Sequence, residues 1–179
     1  MTTPYKIIRS DRKTIAIQIM PDGSVVVRCP KRMRLEDARR FVESKSNWIE
    51  KQLAVCDTGE TEKLSEHEIR QLKEKARQQL TERVQYYATI IGVNYNQIAI
   101  RTQRTRWGSC SSKGNLNFNC LLALVPPDVL DYVVVHELCH RKELNHSERF
   151  WTAVGRILPD YKLRRKWLKD NGTKLIARL

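Results

Sequence analysis

The run His136-Glu137-Leu138-Cys139-His140, followed six residues later by His146, constrains this chain more than any other stretch. On an α-helix, residues four apart stand about 40° apart around the axis and one turn along it, so two imidazoles at that spacing can share one cation. Glu137 stands about 100° round from His136, where its carboxylate reaches a water beside the cation rather than the cation itself. H-E-x-x-H hydrolases divide the work in this way, with two ligands and one general base. A ligand pair of that kind needs a helix locked in the core, because loose side chains hold metal poorly. Leu130, Val133, Val134 and Leu138 supply the anchoring face, and Pro126-Pro127-Asp128 opens the helix, with proline suited to its first turn and aspartate to its positive end.

Catalytic zinc takes three protein ligands and keeps one position open. Three of the chain's 4 histidines lie in this stretch, so His146 is the first candidate for the third ligand. On a continuous helix it would sit ~15 Å along the axis from His136. The chain must therefore leave the helix between Glu143 and His146, with Asn145 suited to the turn. Two rivals remain open on spacing alone. Glu143 follows His140 by three and keeps to the same face, and Asp160 is the kind of ligand some zinc sites use. Cys139 falls on another helix face and reads as a small buried residue. The fourth histidine, His67, has no partner at helical spacing and reads as a surface residue.

Around this stretch the chain alternates element types. Ile15, Ile17 and Ile19 show a period of two, Pro21-Asp22-Gly23-Ser24 is a turn, and Val25-Val26-Val27 returns, which predicts a β-hairpin with an earlier strand near Tyr5. The apolar spacing over 35–53 predicts one helix. Residues 57–63 are polar and form the expected linker between an N-terminal hairpin-plus-helix subdomain (1–56) and a core (64–179). Ser65 and Glu68 form a capping box for a long helix that Gly92 ends. Strands are expected over 97–106 and 116–125, making a hairpin across a polar loop at 108–115. Ser147 caps a helix that Pro159 stops, with Phe150 and Trp151 beneath the turn that swings His146 back. A last short helix should run from Tyr161 to Asp170, ended by Asn171-Gly172. The fold class expected is α+β.

Several of these pieces together resemble one family. Arg106-Trp107-Gly108-Ser109-Cys110, the run from Tyr132 to His140, Asn145-His146-Ser147, Phe150-Trp151, Pro159-Asp160-Tyr161 and Trp167-Leu168 stand in the order and spacing of the YgjP-like metal-dependent hydrolases, relatives of the WLM-type zinc metallopeptidases. The resemblance implies a zincin-like core, one Zn²⁺ per chain on His136, His140 and His146, and Glu137 as base. The metzincin pattern is also similar, but Glu143 stands where those enzymes have glycine.

The function expected is that of a zinc-dependent metallopeptidase acting on peptides or proteins, with Arg106 and Tyr161 as candidates to bind substrate or stabilise the oxyanion. Composition keeps two alternatives in play. Lysine and arginine number 33 against 20 acids, a formal charge of +13, which suits a polyanionic partner such as nucleic acid or a phosphate-bearing substrate. A nucleoside-triphosphate pyrophosphatase activity, which has been attached to bacterial members of the resembling family, is one alternative. It lacks both a P-loop and a carboxylate cluster for Mg²⁺. A nucleic-acid-associated module with a structural metal is the other, and an intact Glu137 speaks against it. No apolar run approaches the ~18 residues of a membrane span. Five cysteines without a C-x-x-C pair point to a reducing, cytoplasmic setting.

Overall fold

Branched aliphatic residues recur through the N-terminal strands, at Ile7 and Ile8, at Ile17 and Ile19, and at Val25, Val26 and Val27. The computed structural model describes residues 4–20, 23–56 and 62–179, and the chain divides into two units, Met1–Thr61 and Glu62–Leu179. Most of the expected linker at 57–63, and Pro21 and Asp22 of the expected turn, lie outside the described residues.

In the first unit β1 (Tyr5–Ser10), β2 (Ala16–Ile19) and β3 (Val25–Pro30) form a sheet in the order β1-β3-β2. The β2–β3 pair is the antiparallel hairpin expected, with Ile17 opposite Val27, while β1 joins β3 in parallel. The central strand is flanked by a partner on each edge, and its Val25, Val26 and Val27 are all buried. The single helix expected over 35–53 is two helices, α1 (Leu35–Glu43) and α2 (Ser46–Cys56). The break has a local cause. The Ser44 hydroxyl donates to the Phe41 carbonyl at 2.7 Å, and the Lys45 amide bonds the Val42 carbonyl three residues back, so the last turn tightens and the chain is re-aimed. Val42 and Ile49, one from each helix, still pack with Val25 and Val27.

The second unit holds the core that matters for function. Helix α3 (Glu66–Ile91) starts on the capping box of Ser65 and Glu68 and ends at Gly92, whose φ of 69° is the left-handed cap that glycine takes without a Cβ penalty. Its buried side, Ala76, Leu80 and Val84, packs into one cluster with a small sheet and the metal-motif helix. The sheet is β4 (Ile98–Arg101), β5 (Gly108–Cys110) and β6 (Leu116–Asn119), ordered β4-β6-β5.

The long hairpin expected over 97–106 and 116–125 is not formed. β4 runs parallel to β6, and the antiparallel partner of β6 is β5, inside the segment expected to be a loop. Asn119 accounts for much of this. Its side-chain oxygen accepts from the Leu121 amide at 3.1 Å and turns the chain into a buried 3-10 segment, Cys120–Leu124. Its amide nitrogen donates to the carbonyls of Gln103 at 2.6 Å and Arg106 at 3.2 Å, holding 103–107 in an irregular path. One buried side chain thus ends β6 and prevents β4 from continuing.

Helix α4 (Pro127–Cys139) carries the metal motif. It is followed by α5 (Glu148–Ile157), capped by Ser147 as expected, and α6 (Tyr161–Ala177). Arg83 of α3 holds Asp131 of α4 with two bonds of 2.6 and 2.7 Å, and the Tyr87 hydroxyl donates to the same carboxylate at 3.0 Å. Helix α6 does not stop at Asn171-Gly172. Gly172 is buried against Trp107, close enough that a Cβ would lie 3.1 Å from the indole, so this glycine permits a close approach rather than ending a helix. The class is α+β, as expected, and a small sheet and helices surround the largely buried helix that carries the H-E-x-x-H run.

Candidate active site

Helix α4 ends sooner than spacing suggested, and that shapes the site. His140 is its C-cap, and the amides of Arg141 and Lys142 bond carbonyls three residues back, so the helix tightens and closes at once instead of running on to Glu143. The chain bends at Leu144 and Asn145 and returns His146 to the motif. The ligand atoms of His136, His140 and His146 then lie within 4.8 Å of one another. The Nε2 atoms of His136 and His146 are 3.0 Å apart. Among the described residues no Asp, Glu or Cys joins this group. Glu143 contributes its backbone carbonyl, which accepts from His140 Nδ1 at 3.0 Å, and the Asp160 carboxylate binds Arg164 at 3.0 Å.

The hydrogen bond from His140 Nδ1 fixes that ring as the tautomer whose Nε2 is free to donate a lone pair. His136 is oriented differently. Its Nδ1 is buried and has no hydrogen-bond partner among the described residues, so packing sets the ring: Phe150 at 4.9 Å, Tyr132 at 5.8 Å and Trp151 at 5.8 Å between centroids. Phe150 is fully buried and also lies 4.6 Å from the His140 ring and 4.8 Å from that of His146. Trp151 stacks on His146 at 5.6 Å, as expected of the residues beneath the returning turn. Burial, with the neighbouring imidazoles and Arg165, pushes the His136 pKa down to about 3, and burial and the charge of His140 lower that of His146. Three clustered imidazoles, two of them held neutral, fit a divalent cation that bonds through nitrogen lone pairs.

Glu137 is 5% exposed, and burial raises its pKa to about 8, with the charge of Arg106 acting weakly the other way. Strand β5 closes over it. A Cβ at position 108 would lie 2.6 Å from Glu137 Oε1, so only glycine lets this strand approach the carboxylate. Beside Glu137 opens a cavity of ≈ 350 Å³ whose lining includes Trp107, Tyr132, His136, Arg165, Leu168 and Lys169. Neither substrate-binding candidate from the sequence lines it. Tyr161 is stacked on Trp151 at 5.5 Å, and Arg106 reaches the site through its charge on Glu137. Tyr132, Arg165 and Lys169 line the cavity and were not singled out. Tyr132 stands four residues before His136 and Arg165 four after Tyr161, helical spacings that put each pair on one face.

A family model described as YgjP-like, metallopeptidase domain, matches residues 13–67 and 54–171. A search of curated proteins finds no match. Among solved structures, the crystal structure of the metallopeptidase zymogen of Pyrococcus abyssi abylysin is similar, with a TM-score of 0.46 and 21% identity over 50% of this chain and 92% of that one.

Proposed function

Because the chain belongs to the YgjP-like metallopeptidase family, we propose that it is a zinc-dependent peptidase in which His136, His140 and His146 hold one Zn²⁺ and Glu137 is the general base. The observation that carries the reading is the pairing of three converged imidazoles with a buried carboxylate on the adjacent helix position. When bound, zinc supplies Lewis acidity to the substrate carbonyl and to a nearby water.

The chain's own residues supply the rest. Glu137 has its proton affinity raised by burial toward the working pH, the condition under which a carboxylate is most effective at taking a proton from an attacking water and returning it to the leaving amine. Gly108 keeps the strand wall against that carboxylate, so the proton is moved at a fixed atom. β5 is an edge strand of its sheet, and an extended peptide pairing with its free edge would pass beside Glu137. Tyr132 keeps its phenolic proton, since burial raises its pKa to about 12, and it lines the cavity as a donor to the oxygen that gains charge.

The test is purified protein, zinc-loaded or chelated, on a mixed panel of peptides and nucleoside triphosphates. Cleavage of peptides only in the loaded state is the expected result. Turnover of triphosphates with peptides intact would replace this reading by the phosphohydrolase alternative. Metal retention without turnover of either would leave the structural-metal module.

A further inference from the structure

The basic residues of α6 are not equivalent. Arg164 binds Asp160 at 3.0 Å, and Lys166 is paired with Asp170 one turn on. Arg165 and Lys169, which lie between them in sequence and four apart on the helix, have no ion pair or hydrogen bond among the described residues. These two line the cavity beside Glu137. Arg165 is held in place: its guanidinium lies 4.7 Å over the Trp151 ring, the same ring that stacks on His146. Among the described residues the cavity lining holds one acidic group, Glu137. The remainder of the lining is largely apolar, with Trp107, Tyr132, Val133 and Leu168.

A cavity with apolar walls and two unpaired cations at one side suits a group with a hydrocarbon stem and an anionic end. Both residues are solvent-exposed and have no counter-ion among the described residues, so an anionic group of a ligand would meet two available positive charges there. Building on the peptidase reading above, we propose that this cavity selects a carboxylate-bearing residue of the substrate peptide, its carboxylate bound by Arg165 and Lys169. The carboxylate can come from a glutamate or aspartate side chain or from the free C-terminus of the peptide. Arginine gives the carboxylate a planar two-point partner, and Lys169 adds a point charge one turn along.

The experiment uses full-length, zinc-loaded protein and peptide sets matched in all but charge: Glu against Gln at each position in turn, and free against amidated C-termini. Cleavage is read by mass spectrometry, and binding to metal-loaded Glu137→Gln is measured by calorimetry. The parent should favour one charged form in kcat/KM by about tenfold to a hundredfold, the range of a hydrogen-bonded charge contact. Arg165→Gln and Lys169→Gln should remove that preference, mainly through KM, by slowing the charged peptide more than the uncharged one. Preference for the side-chain acid identifies an internal acidic residue, and preference for the free terminus identifies the C-terminal carboxylate. Equal cleavage of charged and uncharged peptides, or variants that slow both equally, overturns the proposal while leaving the peptidase reading intact. If no peptide is cleaved but carboxylate forms bind tighter and lose that advantage in Arg165→Gln, the recognition stands and the reaction assignment fails. If no peptide is cleaved and neither form binds better, both fail.

Discussion

Replacing Glu137 by glutamine tests the physical state of the buried carboxyl independently of any substrate. In the metal-free protein, burial raises the Glu137 pKa from 4.5 to about 8. A carboxyl raised in this way contributes stability that is fully present below pH 4.5 and is lost as pH climbs toward 8, because the folded state then has to hold a buried anion that the unfolded chain solvates. Each pKa unit is worth about 1.4 kcal/mol, so between pH 5 and pH 8 the parent loses about 3 kcal/mol that the glutamine variant keeps. His136 acts with the opposite sign. Its pKa falls from 6.5 to about 3, so its contribution to stability grows as pH rises through that window. Both proteins carry that contribution, and it cancels in their difference. At roughly 2–4 °C per kcal/mol, the Tm advantage of Glu137→Gln should widen by roughly 6–12 °C from pH 5 to pH 8. Thermal scans of tryptophan fluorescence on chelated protein report it, and zinc should narrow the gap, since a nearby cation favours the anion. Melting curves that stay parallel across the pH range would show that burial does not raise the Glu137 pKa in the metal-free protein and would refute the linkage argument.

Three further outcomes follow from the same geometry. His146→Ala should lose most of its zinc by metal analysis, whereas Glu137→Gln should keep it and lose turnover by ~10²-fold or more, the contribution of a positioned base; full zinc occupancy in His146→Ala would reassign the third ligand. Gly108→Ala places a methyl 2.6 Å from Glu137 Oε1, so turnover should fall while zinc is retained, and an alanine variant with parental kcat would mean the strand wall does not position the carboxylate. Phe150→Ala empties a fully buried ring site that touches all three histidines, which should cost about 3–5 kcal/mol in urea denaturation and weaken zinc binding; unchanged zinc affinity would show that the ring supports the fold alone.

Local chemistry was legible in the sequence where a few neighbouring residues decide the outcome. Ser65 with Glu68, Ser147, and Pro127 at the first turn of α4 each act within one helical turn, and each does in the structure what its type dictates. The convergence of three histidines was legible for a similar reason, since only a return of the chain makes His146 useful. What failed depends on distant partners. Asn119 reads as one polar position on a strand face, and its bonds to the Gln103 and Arg106 carbonyls emerge only when 103–107 comes to lie beside it. Gly172 carries the usual signal of a helix end, yet the indole it meets is 65 positions earlier in the chain. Arg165 and Lys169 look like any solvated lysine or arginine until the pairing of their neighbours is known. The early end of α4 was missed because three-residue hydrogen bonds at a C-terminus leave little trace in residue type.

The contact between Gly172 and Trp107 has a consequence for how such a cavity can diverge. Trp107 is one wall, and the helix that carries Gly172 supplies Arg165, Leu168 and Lys169 to the other. The separation of the two walls is therefore governed by the thickness of a single hydrogen atom at a place no substrate visits. A methyl there would meet the indole at 3.1 Å and lever the helix outward by a few tenths of an ångström. Selection, or a designer, can thus retune the bore of this cavity without altering any residue inside it.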